Sequence, residues 1–125
     1  MVKSKKQYFK EIGKIGELIA QRYLISNDYN IRHTNWHHGH KELDIVAVKD
    51  NVLVIVEVKT RKTDYWEEPK EAVRRKKQRM MIDAADAYVI NFNLDMDVQF
   101  DIISIVLQNG QHQLEHIKDA FQPTF

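Results

Sequence analysis

Four charged residues interrupt two stretches that otherwise read as buried strand. Glu42 and Asp44 fall in Glu42–Lys49 (ELDIVAVK), and Glu57 and Lys59 fall in Val52–Thr60 (VLVIVEVKT). Both stretches are dense in β-branched residues, and Asp50-Asn51 between them suits a two-residue hairpin turn. With that turn, Asp44 lies opposite Glu57, and Glu42 lies opposite Lys59. Residues two apart share a strand face, so all four point the same way, together with Val46, Val48, Leu53 and Ile55. Leu43, Ile45, Ala47, Val54, Val56 and Val58 form the other face. Both faces are apolar apart from one polar corner, which predicts cover on both sides of a sheet.

Directly opposed Cβ atoms lie about 4.5–5.5 Å apart. Two carboxylates that close repel, and one is pushed toward its protonated form unless a cation intervenes. Mg²⁺ takes oxygen ligands, keeps several waters, and is commonly held by one or two carboxylates plus substrate phosphate. Beside such an ion, Lys59 can orient or deprotonate a water and offset charge developing on phosphorus. Glu17 can reach the same corner from a helix and act through a water. The same residues also permit a solvated ion-pair cluster, with Glu42 and Asp44 screened by Lys59. Charged residues make up 30% of the chain, so the spacing alone does not choose between the two.

The elements that must position this corner follow from periodicity. Tyr8, Ile12, Ile15, Ile19 and Tyr23 recur at helical spacing and predict a helix over about Lys5 to Ile25. Gly13, Gly16 and Ala20 form a small-residue strip beside that stripe, and mid-helix glycines imply close approach by another backbone. Asn30–Asn35 reads as a short strand and Trp36–Lys41 as a polar loop. Asp64–Pro69 is a predicted loop. A helix then starts between Pro69 and Arg74 and runs to about Asn91, with Met81, Ala84, Ala85 and Tyr88 on its apolar face. Val98–Leu107 and His112–Ile117 read as strands about a turn at Asn109-Gly110. The order αβββαββ predicts an α/β fold, a mixed central sheet flanked by helices.

The 125 residues suit one domain, 1–125. Cysteine is absent, which excludes disulfide scaffolds, thiolate zinc sites and cysteine nucleophiles. No apolar run approaches the roughly 20 residues of a membrane span, and the basic N-terminus lacks the apolar core of a secretory signal. A cytoplasmic protein is the expectation. Net charge is only +1, but basic residues cluster at Lys3–Lys14, Arg61–Lys62 and Arg74–Arg79. Arg74, Arg75 and Lys77 are candidate phosphate contacts. Lys77 lies four residues before Met81 and should point toward the sheet. His37-His38-Gly39-His40 has no standard zinc spacing. Trp36 reads as a cap over the core, while Tyr65-Trp66 is open between packing and base stacking. Asp101 suits an ordinary strand-face or helix-capping role.

The same residues resemble the bacterial YraN-like uncharacterised proteins, over most of the chain. Gly13-x-x-Gly16-Glu17 with Ala20 and Tyr23-Leu24 matches that family's first helix. Glu42-Leu43-Asp44-Ile45-Val46-Ala47 matches a strand in which the residue before Glu42 is usually Gly and is here Lys41. Val56-Glu57-Val58-Lys59-Thr60-Arg61 matches its most specific motif. Glu71-Ala72-Val73, Lys77 and Ala84-Ala85 match its second helix. Phe100-Asp101, after Gln99 where Arg is common, and Ala120-Phe121 match its later segments.

The resemblance implies a restriction-endonuclease-like, PD-(D/E)xK core similar to Holliday-junction resolvases. It implies Glu17, Asp44, Glu57 and Lys59 as the active-site set, Mg²⁺ or Mn²⁺ as cofactor, and a nucleic-acid substrate. In that scheme Asp44, Glu57 and the Val58 carbonyl hold the metal, Lys59 positions the attacking water, and Glu17 assists through the metal's water shell. Lys41 and Arg61 join Arg74, Arg75 and Lys77 as expected nucleic-acid contacts. The expected function is metal-dependent hydrolysis of phosphodiester bonds in DNA, with branched or otherwise structured DNA as a candidate substrate. The alternative is a nucleic-acid-binding or assembly module with little or no catalytic activity. A third reading is a pure protein-interaction domain. No membrane partner is expected, and the pattern leaves room for a homodimer.

Overall fold

A computed structural model describes residues 3–62 and 73–123. The predicted loop at 64–69 with Tyr65-Trp66, the Pro69 helix start and Glu71-Ala72 lie outside the described residues. The elements are α1 (Lys5–Ser26), β1 (Asn30–His38), β2 (Lys41–Lys49), β3 (Val52–Lys62), α2 (Arg75–Asn91), β4 (Val98–Gln108) and β5 (Gln111–Phe121). This is the predicted order. The five strands form one sheet in the order β1-β2-β3-β4-β5. Its pairings are antiparallel except for β3 with β4, which are parallel. A parallel pair needs a crossover connection, and α2 lies on the one between β3 and β4.

Each face of the sheet receives one helix. Ala20 and Leu24 of α1 pack with Ile45, Ala47, Val54, Val56, Ile103 and Ile105. Met81, Ala84, Ala85 and Tyr88 of α2 pack with Leu43, Val46, Leu53, Ile55, Phe100 and Ile102 on the other side. Gly16 explains how closely α1 approaches: a Cβ there would lie 1.7 Å from Thr60 Oγ1 of β3. Gly13 does not share this role, because nothing lies within 4 Å of where its Cβ would be. No helix among the described residues is long and apolar enough to cross a membrane.

The β2–β3 hairpin has the expected turn. Asp50 and Asn51 adopt φ of 50° and 66°, the left-handed pair that a two-residue I′ turn requires. The register runs from Lys49↔Val52 to Ile45↔Val56. The neighbouring hairpin corrects the expectation of a loop over Trp36–Lys41. Trp36, His37 and His38 continue β1, opposite Leu43, Glu42 and Lys41. Only Gly39-His40 turns, with Gly39 at φ 61°. Trp36 packs against the α2 layer, its ring centroid 5.0 Å from that of Tyr88, as a cap over the core.

One irregularity shapes the polar corner. In an unbroken strand Leu43 would share a face with Ile45, yet Leu43 joins the α2 layer and Ile45 the α1 layer. The alternation therefore slips once, at Asp44. Asn35, on the partner strand, has φ 51° at the same level. The two strands kink together there, so Asp44 leaves the regular pattern that placed it on one face with Val46 and Val48.

Candidate active site

The regular β2–β3 ladder ends at Ile45↔Val56, one residue short of Asp44 and Glu57. Asp44 fills the opening with its side chain: its Oδ2 accepts the Val58 N–H at 3.0 Å. Asp44 lies close enough to act on Glu57, but the two are not the directly opposed pair the turn arithmetic predicts, because the ladder has parted at their level. Glu42 departs from expectation. It lies opposite His37 of β1, with His37 Nε2 3.8 Å from its carboxylate, and not opposite Lys59.

Glu57 is 9% exposed. Burial, and then the neighbouring Asp44 carboxylate, push its pKa up from 4.5 to about 8, only partly offset by Lys77. Lys77 Nζ lies 3.5 Å from Glu57 Oε2, so it points inward as its spacing from Met81 predicted. Glu17 is raised from 4.5 to about 7, by burial first, then by Asp44 and Glu42. The Asn35 amide is oriented by its acceptor surroundings. With its nitrogen facing the carboxylates, it donates to Glu17 and Glu42 at 2.9 Å each. Glu17 and Glu57 therefore both press on Asp44, and both hold their protons toward neutrality.

The corner opens to solvent on the α2 side through a cleft of about 870 Å³. Lys41, Lys59, Arg74, Lys76, Lys77 and Arg79 line it together with Glu57 and Asp83. A chain of net charge +1 thus gathers six cations around one buried carboxylate. Lys41 also reaches Asp83 of α2 at 3.3 Å. Glu17 faces a separate, smaller depression of about 270 Å³ with Lys14, Leu18, Gln21 and Asn35. The structure thus groups Glu57, Lys59 and Lys77, and it leaves Glu17 on the other side of Asp44. Arg61 is 7% exposed and is not among the described residues that line the cleft. Arg74 is the N-cap of α2 and exposed, and Arg75 is exposed beside it.

Lys76 and Arg79 belong to the basic run noted in the sequence, but their alignment with Asp83 was not foreseen. Their spacings of three and four place them on one face of α2, a signal available once the helix start was known. The sequence reading also missed Asn35, whose role depends on the strand kink. The histidine run does not converge. His37 Nδ1 lies 3.0 Å from the Asn35 carbonyl oxygen, His38 stacks on Trp36, and His40 lines the cleft.

The oxygen donors of Asp44 and Glu57 are the kind a hard divalent cation takes, and such an ion would relieve their repulsion once it displaced the proton that burial favours on Glu57. Among the described residues, no three acidic or imidazole groups converge at metal-binding distance. Further ligands would therefore be backbone, water or phosphate oxygens.

The profile of the uncharacterised protein family UPF0102 matches residues 16–105. This span contains Glu17, Asp44, Glu57, Lys59 and the cationic face of α2. The chain belongs to the UPF0102 family. This is the YraN-like family whose motifs the sequence resembles. A UPF0102 protein from Bacteroides thetaiotaomicron is 51% identical over 113 residues, covering 90% of this chain and 93% of the relative. One from Parabacteroides distasonis is 48% identical over 111 residues, covering 89% and 92%. One from Flavobacterium psychrophilum is 39% identical over 111 residues, covering 89% and 93%. UPF0102 relatives are thus similar along nearly their whole length, and the family carries no named activity.

Proposed function

We propose that this UPF0102 protein is a metal-dependent endonuclease that hydrolyses phosphodiester bonds in DNA, including structured or branched DNA. The observation that carries the reading is buried Glu57 beside half-buried Asp44 in an opened ladder, with Glu57 lining a cation-rich cleft and Lys59 exposed next to it. The reading includes a restriction-endonuclease-like core, one domain over residues 1–125, and a cytoplasmic setting.

In this reading Asp44, Glu57 and the Val58 carbonyl hold Mg²⁺ or Mn²⁺. The bound cation supplies Lewis acidity toward a phosphoryl oxygen and a more acidic water. Lys59 orients the attacking water and offsets charge developing on the phosphate. Glu17, poised near neutrality at about 7, exchanges a proton with solvent on the far side of Asp44. Lys41, Arg74, Lys76 and Arg79 hold the flanking phosphates, and Lys77 keeps Glu57 oriented.

One observation favours a second reading, a nucleic-acid-binding or assembly module that cuts little. Lys77 already stands 3.5 Å from Glu57 and can neutralise it in place of a cation. A panel of single-stranded, duplex, flapped and four-way DNAs, incubated with Mg²⁺ or Mn²⁺, separates the two. The nuclease reading expects metal-dependent cleavage that Lys59→Ala lowers by about 10²-fold or more while DNA binding persists. Binding without cleavage of any substrate would favour the module. Absence of binding even at low salt would sink both.

A further inference from the structure

The outward face of α1 carries a pattern that the sheet meets only at its first residue, Tyr8, whose ring centroid lies 5.0 Å from Lys62 Nζ of β3. Tyr8, Glu11, Ile15, Leu18, Arg22 and Ile25 recur at alternating spacings of three and four, the seven-residue repeat of a two-helix seam. Ile15, Leu18 and Ile25 are 47%, 55% and 60% exposed. The residues that face the sheet are different ones, Ile12, Gly16, Ala20 and Leu24. A single exposed apolar side chain is ordinary. Three at seam spacing along one line form a stripe fit for a partner helix.

We propose that α1 pairs antiparallel with α1 of a second copy of this chain across this stripe. The two charged seam positions select both occupant and direction. In a parallel pair held in register, Glu11 would face the partner's Glu11, and Arg22 would face the partner's Arg22. Both contacts repel. With the chains antiparallel and the two-fold axis level with Gly16 and Glu17, every seam residue meets a seam residue. Ile15 meets the partner's Leu18, Tyr8 meets the partner's Ile25, and Arg22 meets the partner's Glu11. The two-fold makes each contact twice, so the interface is self-complementary in both shape and charge. Shifting the helices by one heptad would lose a third of these pairs.

Glu11 already pairs with Lys3 at 2.6 Å, but both side chains are about half exposed, at 44% and 57%. Such a surface pair contributes little and does not hold Glu11 away from a partner. The seam spans about 27 Å of helix, and a single helix pair is the small kind of contact that weak, reversible association uses. This inference goes beyond the nuclease reading and does not rest on it.

Sedimentation velocity across the micromolar to submillimolar range tests it, with circular dichroism confirming that each variant is folded. The wild type should pass from monomer to dimer, and Leu18→Glu should remain monomeric. Arg22→Glu and Glu11→Arg should each weaken association by about tenfold or more. The double swap should recover it to within about threefold. A wild type that stays monomeric throughout would overturn the proposal. So would dimerisation that survives Leu18→Glu, or a double swap no better than the single changes. Binding of monomeric protein to anionic vesicles, abolished by Leu18→Glu, would assign the stripe to a lipid surface and also overturn it.

Discussion

Asp101 and Glu57 leave adjacent strands one residue apart and meet opposite fates. Val56 pairs with Asp101 and Glu57 with Ile102, so the two carboxylates emerge on opposite faces of the sheet. Asp101 is fully buried on the α1 side and supplied with donors. Its Oδ1 accepts from Gln99 Nε2 at 2.9 Å and from the Asp119 N–H at 3.0 Å. Its Oδ2 lies 2.7 Å from His116 Nε2, and His116 Nδ1 lies 2.9 Å from the Tyr23 hydroxyl of α1. The chain therefore provides what a buried carboxylate needs, and it ties α1 to the bulged end of β5 in doing so. Glu57, on the α2 side, meets another carboxylate and one lysine at 3.5 Å, and its pKa climbs to about 8. A buried acid with its donors built in is scaffold. A buried acid set against a like charge at the floor of a cleft is the better candidate for binding something from outside.

The largest expected effect follows from removing the satisfied carboxylate. Asp101→Ala leaves three buried or half-buried donors without an acceptor, each costing about 1–3 kcal/mol. Denaturant melts should show a loss of about 3 kcal/mol or more. Asp44→Asn keeps an oxygen to accept the Val58 N–H and removes repulsion toward Glu57 and Glu17. Metal-free stability should therefore hold within about 0.5 kcal/mol or rise. If Asp44→Asn were the costlier change, the contrast between scaffold and site would be reversed.

The legible and illegible parts of this molecule divide along the same line. The β2–β3 register was readable because Asp and Asn tolerate left-handed backbone, and two such residues between β-branched runs specify one turn. The αβββαββ order and the inward aim of Lys77 followed from periodicity in the same way. The kink at Asp44 was not readable, because face assignment assumes unbroken alternation and nothing in ELDIVAVK marks the break. Asn35 carries that information in its positive φ, but as one polar residue in an edge strand it gives no distinct signal. The continuation of β1 through Trp36-His37-His38 was missed for a related reason: an exposed edge strand can be polar on both faces. Arg61 looked like surface because arginine usually is, and only tertiary packing buries it.

The next effect concerns protons and metal together. Unfolded, Glu57 and Glu17 ionise near 4.5, and folded, they do so near about 8 and about 7. Between those values the native state keeps protons that the unfolded chain has released. Metal-free stability should therefore fall as pH rises from about 4.5 to about 8, and Glu57→Gln should flatten that fall. Above about 8 both carboxylates are ionised and ready for a cation. Mn²⁺ at ten times its Kd should then stabilise the wild type by about 1.4 kcal/mol, and Asp44→Asn by much less. Equal Mn²⁺ shifts in both proteins would place the binding elsewhere.

The smallest effect asks whether the two regions are independent. Tyr23→Phe keeps the ring that packs edge-on to His116, with centroids 5.4 Å apart, and removes only the hydroxyl from Nδ1. The hydroxyl lies 2.9 Å from His116 Nδ1, so the substitution removes that hydrogen bond alone. One half-buried hydrogen bond is worth about 1 kcal/mol, and thermal or denaturant melts should register a loss of that size. The loss should be the same with and without Mn²⁺, because Asp44 and Glu57 lie on the other side of the sheet from Asp101. The double variant Tyr23→Phe, Asp44→Asn should equal the sum of the single changes to within about 0.5 kcal/mol. A larger coupling would mean that strain at the Asp44 opening is transmitted through β3 to the Asp101 network. The scaffold carboxylate would then take part in setting the geometry of the site.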